Sequence, residues 1–94
     1  MMSSIFLITV DLRVPGQNYE RLYEAIRSLP RAFRYQQSSW FAQFSGTTLQ
    51  LRNYLGAFID LSDKLLVARV AEAAYFDSDL LVEMADHGFP VTEG

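Results

Sequence analysis

The chain has 94 residues, half of them hydrophobic, a net charge of −3 and no cysteine. This length suits one small domain with a single core, and the hydrophobic content excludes a mainly disordered chain. The apolar runs reach about ten residues, against the roughly 20 that cross a bilayer, so we expect no membrane partner. The lack of cysteine excludes a disulfide framework and a thiolate metal site, and it leads us to expect a cytoplasmic protein.

The charge is divided unevenly along the chain. Residues 1–71 contain seven Arg and one Lys against five acids, whereas residues 72–94 contain six acids and no Lys or Arg. Arginine suits phosphate recognition through its planar fork, although such charges are also common on ordinary solvated surfaces. We therefore divide the chain into a basic domain, 1–71, and an acidic C-terminal extension, 72–94, which we predict to lie over the arginines and mask them.

The first predicted strand, Ile5 to Leu12, is apolar on both faces, which is typical of a strand in the middle of a sheet. Because successive side chains alternate, Asp11 shares its face with three residues, Ile5, Leu7 and Thr9. The carboxylate thus stands at the end of a buried strand, close to Arg13 and to a predicted turn at Pro15-Gly16.

Apolar residues at helical spacing predict two amphipathic helices. The first follows Asn18, a candidate N-cap, and ends at Pro30; the second follows Thr47, also a candidate N-cap. The apolar stripes are Tyr19, Leu22, Tyr23, Ile26 and Leu29, and then Leu51, Tyr54, Leu55 and Phe58.

Three further strands complete the predicted domain. The segment between the helices favours two strands, about 32–37 and 39–44, joined around Ser38-Ser39. One long bent strand is the alternative there, because the segment lacks Asn-Gly and Asp-Gly. Residues 64–71 predict the last strand, with Arg69 on the face of Leu65 and Val67.

The order strand, helix, strand, strand, helix, strand predicts an α+β, ferredoxin-like βαββαβ fold, with a four-stranded antiparallel sheet and both helices on one face. The other face is left bare, so we expect a second copy to cover it in a homodimer. In the C-terminal extension the sequence predicts either a helix over 73–85 or an added edge strand at Tyr75-Phe76.

The candidate site rests on Asp11. No phosphate-binding glycine loop, HExxH motif or serine-nucleophile elbow occurs, and the single His87 has no partner for a nucleophilic triad. Asp11 is the candidate catalytic and metal-binding residue, because one copy from each subunit could share a Mg²⁺ ion and activate water on a phosphodiester. The structural alternative is an aspartate that accepts backbone N–H groups of the following turn. Arg13, Arg31 and Arg34 are the candidate nucleic-acid-binding residues.

Four strings carry a resemblance to known proteins: ITVDL at 8–12, PG-x-NYERLYEAI at 15–26, SSW at 38–40 and DKLLVARV at 63–70. Over about residues 5–70 the chain resembles short bacterial proteins labelled SinR-like, a branch of the small CRISPR-associated adaptation subunit family. That family also resembles the virulence-associated protein D toxins. Tyr35-Gln36-x-Ser38 is similar to the wider family's glutamine-serine hairpin, whereas Val10 stands where a Tyr is usual before the aspartate.

The resemblance implies a ferredoxin-like homodimer. Some members of these families cut RNA or DNA with Mg²⁺ and the acid that matches Asp11, and others hold the DNA backbone as inert scaffolds. We therefore expect a non-catalytic scaffold that binds nucleic acid or protein and is related to the CRISPR adaptation subunit. The alternative is a Mg²⁺-dependent endonuclease or endoribonuclease that uses Asp11 from both subunits.

Overall fold

The computed structural model describes residues 4–14, 19–71 and 84–88. The elements in these ranges are β1 (Ser4–Asp11), α1 (Glu20–Arg27), β2 (Phe33–Gln36), β3 (Ser39–Phe44), α2 (Thr48–Gly56) and β4 (Lys64–Arg69). The predicted order of strands and helices is confirmed. The segment between the helices is a hairpin rather than one long bent strand, with an irregularity in β2 between Arg34 and Gln36.

The strands form one antiparallel sheet in the order β2-β3-β1-β4. β1 pairs with β3 on one side and with β4 on the other, so the first strand is central, as its two apolar faces predict. Each helix connects two strands that have one other strand between them. The two strand-helix-strand units therefore interleave, and the fold is α+β and ferredoxin-like, as predicted.

Both helices pack on the same face of the sheet. Phe6 and Ile8 of β1 have no exposed surface and share one core cluster with Leu22 of α1 and Leu51 of α2. Tyr54, predicted in the apolar stripe of α2, is instead 44% exposed and packs edge-on against Phe58, which lies just after the end of the helix. Tyr54 lies at the border of the stripe, where a phenol can reach water.

The helix starts differ in how they are capped. α2 begins with a capping box, in which the Thr47 hydroxyl accepts the Gln50 N–H at 3.1 Å and the Gln50 side chain accepts the Thr47 N–H at 2.8 Å. The predicted cap at Thr47 is confirmed. α1 follows Tyr19, whose side chain makes no cap hydrogen bond. Asn18 and the Pro15-Gly16 turn, which the sequence predicts there, lie outside the described residues.

Of the C-terminal extension, the structure describes 84–88, which we call the C-terminal turn. Residues 84–86 are helical, and Met84 packs against the helix-free face of the sheet. The other predictions for 72–94 lie outside the described residues. None of the described helices is long and apolar enough to cross a membrane.

We predict that Leu22→Ala strongly destabilises the fold, because Leu22 has no exposed surface and its truncation leaves a cavity between α1 and the sheet. Such a change costs about 2–5 kcal/mol in the free energy of unfolding. Urea unfolding followed by circular dichroism measures it. Arg21→Ala, an exposed change in the same turn, should stay within about 0.5 kcal/mol of the parent chain. An equal loss in both variants would contradict this assignment of the core.

Candidate functional site

Asp11 is the last residue of β1, and its side chain is 56% exposed. The Arg13 guanidinium donates from Nη2 at 2.7 Å and from Nε at 3.0 Å, and both bonds end on the same carboxylate oxygen, Oδ2. Among the described residues Asp11 therefore accepts from a side chain, rather than from the backbone N–H groups expected of a strand-end aspartate. The charge of the candidate catalytic group is balanced by its own neighbour.

The backbone-capping role belongs to Asp63, at the start of β4. Its Oδ1 accepts the backbone N–H of Arg13 at 2.7 Å and the hydroxyl of Tyr19 at 2.8 Å. Its Oδ2 accepts the backbone N–H of Asp60 at 2.8 Å. One carboxylate thereby joins the end of β1, the start of α1 and the turn before β4.

These hydrogen bonds shift the pKa values of Asp63 and Tyr19 in opposite directions. Partial desolvation by itself raises the pKa of Asp63, but the donors from Arg13, Asp60 and Tyr19 outweigh it and lower the pKa below its ordinary value. For Tyr19, desolvation raises the pKa, and so does the bond to Asp63, because loss of the proton would leave two anions in contact. The Val14 N–H, which donates to the phenol oxygen at 3.2 Å, partly opposes that rise.

A surface pocket of about 510 Å³ lies beside Asp11, at the border between β1 and β4. Its lining includes Thr9, Asp11, Asp63, Lys64 and Leu66. Lys64 is the cross-strand partner of Asp11 in the sheet register, so charges of both signs stand at the rim. This arrangement can hold a small polar group or a partner side chain.

A magnesium site within one chain does not fit these residues. Nowhere in the described ranges do three or more His, Cys, Asp or Glu side chains come together as metal ligands. Asp11 is held by Arg13, and Asp63 uses both of its oxygens on internal donors. A metal at Asp11 would need further ligands from outside the described residues, and it would compete with Arg13 for Oδ2.

The three arginines predicted to bind nucleic acid lie in three separate places. Arg13 is beside Asp11. Arg31 precedes β2 at the opposite end of the sheet, and its guanidinium donates to the carbonyl of Gly88. Arg34 lies on the helix-covered side, with its guanidinium carbon 4.6 Å from the centre of the Trp40 ring and 5.2 Å from that of Tyr23. The fold does not bring them together into one phosphate-binding surface.

The helix-free face is apolar, and the described residues cover only part of it. Phe33 and Phe41 stack with their centres 5.6 Å apart, and the ring of His87 lies 4.7 Å above Phe33. The C-terminal turn therefore covers the β2 side of this face. On the β4 side Leu66 remains 57% exposed. The other apolar residues packed on this face are Ile5, Leu7, Tyr35, Val70 and Met84.

The sequence signals did not mark Asp63 as a functional residue. One local signal exists, because an aspartate three residues after another can accept the N–H of the first and close the turn. The contacts with Arg13 and Tyr19 join residues 50 and 44 positions apart, and no local pattern marks them.

Comparison with protein-family models, with curated proteins and with solved structures gave no match.

We predict that Asp63→Asn destabilises the protein at neutral pH, because an amide cannot accept all three donors. A lowered pKa in the folded state means that the contribution of Asp63 is present above its unfolded value, near 3.8, and is lost as the pH falls through the folded value. The difference in stability between the parent and the variant should therefore shrink in acid. Thermal unfolding of both proteins from neutral pH down into acid measures this difference.

Asp60→Asn is the matched control, since it keeps the backbone N–H that Asp63 accepts. We expect it to lower the unfolding temperature by less than Asp63→Asn does. A stability difference for Asp63→Asn that is the same at every pH would contradict the assigned role of the carboxylate.

Proposed function

We propose that this chain is a small, non-catalytic scaffold that works as a homodimer through the helix-free face of its sheet and binds a protein or a nucleic acid. The observation that carries the proposal is the exposed Leu66 beside an apolar sheet face that the described chain covers only on its β2 side. Contiguous apolar surface of this kind is typical of a surface that contacts another protein.

A second copy is the simplest cover for this face. Two copies related by a two-fold axis bury the same surface on each side, and Leu66 would then lie near its own counterpart. Such a contact removes apolar area from water without requiring a different protein as partner. The C-terminal turn would lie at the border of this contact and limit how far it extends toward β2.

The state of Asp11 favours a scaffold over an enzyme. A general acid, a general base or a metal ligand has to be available to the reacting group. Asp11 already pairs with Arg13 through Oδ2, and the neighbouring Asp63 is bound to internal donors. The described residues contain no group of three or more metal-ligating side chains. A scaffold requires no such group.

For the class of partner, the charges favour protein over nucleic acid. Non-specific nucleic-acid binding depends on neutralising several phosphates at once, and the chain has a net charge of −3. Arg13 and Arg27 are in ion pairs with Asp11 and Glu20, and Arg34 is stacked on aromatic rings. Nucleic-acid binding remains the second form of this proposal, and it requires arginines from two copies to act together.

We predict that Leu66→Glu converts the protein from a dimer to a monomer, because the exposed leucine would be replaced by a charge at the contact between copies. Light scattering coupled to size-exclusion chromatography measures the mass. Leu61→Glu is the matched control: Leu61 is as exposed as a side chain in an open chain, but it lies in the turn before β4. The control should remain a dimer. A parent chain that is monomeric at high concentration would exclude the proposed dimer.

A nuclease is the second candidate function, because Asp11 lies on the same helix-free face and a two-fold contact could bring two copies of it together. For the scaffold we expect purified protein to leave single-stranded RNA and duplex DNA intact with Mg²⁺ or Mn²⁺. Cleavage that disappears both with a chelator and in Asp11→Ala, while persisting in Asp60→Ala, would establish the nuclease instead. Cleavage that survives Asp11→Ala would point to a contaminant or to another site.

A further inference from the structure

β4 is an edge strand of the described sheet. β4 lies at the end of the sheet order, so one side of its backbone pairs with β1 and the other has no neighbouring strand among the described residues. The N–H of Val70 donates to the carbonyl of Ile5 at 2.8 Å. Because antiparallel pairing alternates, Leu66 and Ala68 also bond toward β1. The backbone groups of Leu65, Val67 and Arg69 therefore point outward.

Two pockets flank this edge on opposite faces of the sheet. The pocket beside Asp11, which Leu66 helps to line, opens on the helix-free face. A second pocket of about 430 Å³ lies on the helix side, between the end of α2 and the start of β4, and its lining includes Arg52, Gly56, Leu61 and Leu65. An added strand would direct alternate side chains toward these two pockets.

The charge of the edge selects among occupants. β4 has Lys64 at one end and Arg69 at the other, with only apolar residues between them. Neither forms an ion pair with any described residue. A second copy of β4 would bring two more cations to the same edge, which disfavours pairing of β4 with itself. An extended segment with acids at its ends would complement both cations.

We propose that the free edge of β4 binds an extended, apolar segment of a partner protein, flanked by acidic residues, as a fifth strand of the sheet. Backbone hydrogen bonds to Leu65, Val67 and Arg69 supply the affinity, and the two pockets take alternate side chains of the segment. This names a partner for the proposed scaffold but does not depend on the dimer, because the edge groups point along the plane of the sheet.

The test uses the full chain and a synthetic peptide, acetyl-Glu-Thr-Val-Ile-Val-Glu-amide, whose two acids are five residues apart and point to opposite faces, as Lys64 and Arg69 do. Amide hydrogen exchange followed by NMR reports its binding. At about ten times its dissociation constant the peptide should slow exchange at the outward amides of Leu65, Val67 and Arg69 roughly tenfold. The amides of Leu66 and Ala68 bond toward β1, so their exchange should change little. The same peptide with Lys in place of both Glu should bind more weakly, since it meets two cations.

Two variants separate the backbone bond from the charge. Arg69→Thr removes the charge and keeps the outward N–H, whereas Arg69→Pro removes both; the position is exposed, so each variant should fold. Peptide affinity should be roughly fivefold lower in Arg69→Pro than in Arg69→Thr, the loss expected for one backbone hydrogen bond.

Three results would overturn the proposal. The first is slow exchange of the outward amides in the free protein, which would show that the edge is already covered. The second is protection that grows with protein concentration alone, which would assign the edge to a second copy. The third is peptide binding that leaves these amides unchanged. A monomer in light scattering would contradict the proposed homodimer but would leave the proposed strand binding at β4 untouched.

Discussion

The alternation of β1 is the constraint on which the rest of the structure depends. Its even-numbered residues from Phe6 to Val10 are buried under both helices, so its odd-numbered residues must face the other way. A shift of one residue would expose the core and bury Asp11. The strong preference for burying Phe6 and Ile8 thus determines that the acid stands on the open face. The position of the candidate site is a consequence of core packing.

The electrostatics at this end of the sheet are internally balanced. Asp63 holds three segments together through charge-assisted hydrogen bonds, which are stronger than neutral ones, and Asp11 is paired with Arg13. The side chains of Asp11 and Arg13 are each about half exposed. Their ion pair therefore contributes little to stability and can open at small cost. Asp63 is therefore the structural acid, and Asp11 is the acid that remains available to a partner.

Most of the fold could be predicted from the sequence, because its signals are local. Apolar spacing located both helices, the candidate N-cap at Thr47 marked the start of α2, and the two apolar faces of β1 placed it centrally. The candidate site could be predicted only in part. The position of Asp11 follows from alternation, but its pairing with Arg13 depends on rotamers, and the contacts of Asp63 depend on tertiary packing. The separation of Arg13, Arg31 and Arg34 follows from strand direction, which no single segment encodes.

The two edges of the sheet differ in a way that matters for function. Exposed edges invite pairing with other chains, and proteins commonly protect them with short strands, bulges, charges or covering segments. β2 has four residues, an irregularity at Arg34 to Gln36, and a neighbouring contact between Arg31 and the C-terminal turn. β4 has six residues in regular register, and among the described residues only its terminal cations oppose pairing. The cations of β4 repel a second basic strand but attract an acidic one. The β4 edge is therefore protected against some strands only, whereas the features of β2 oppose pairing with any strand.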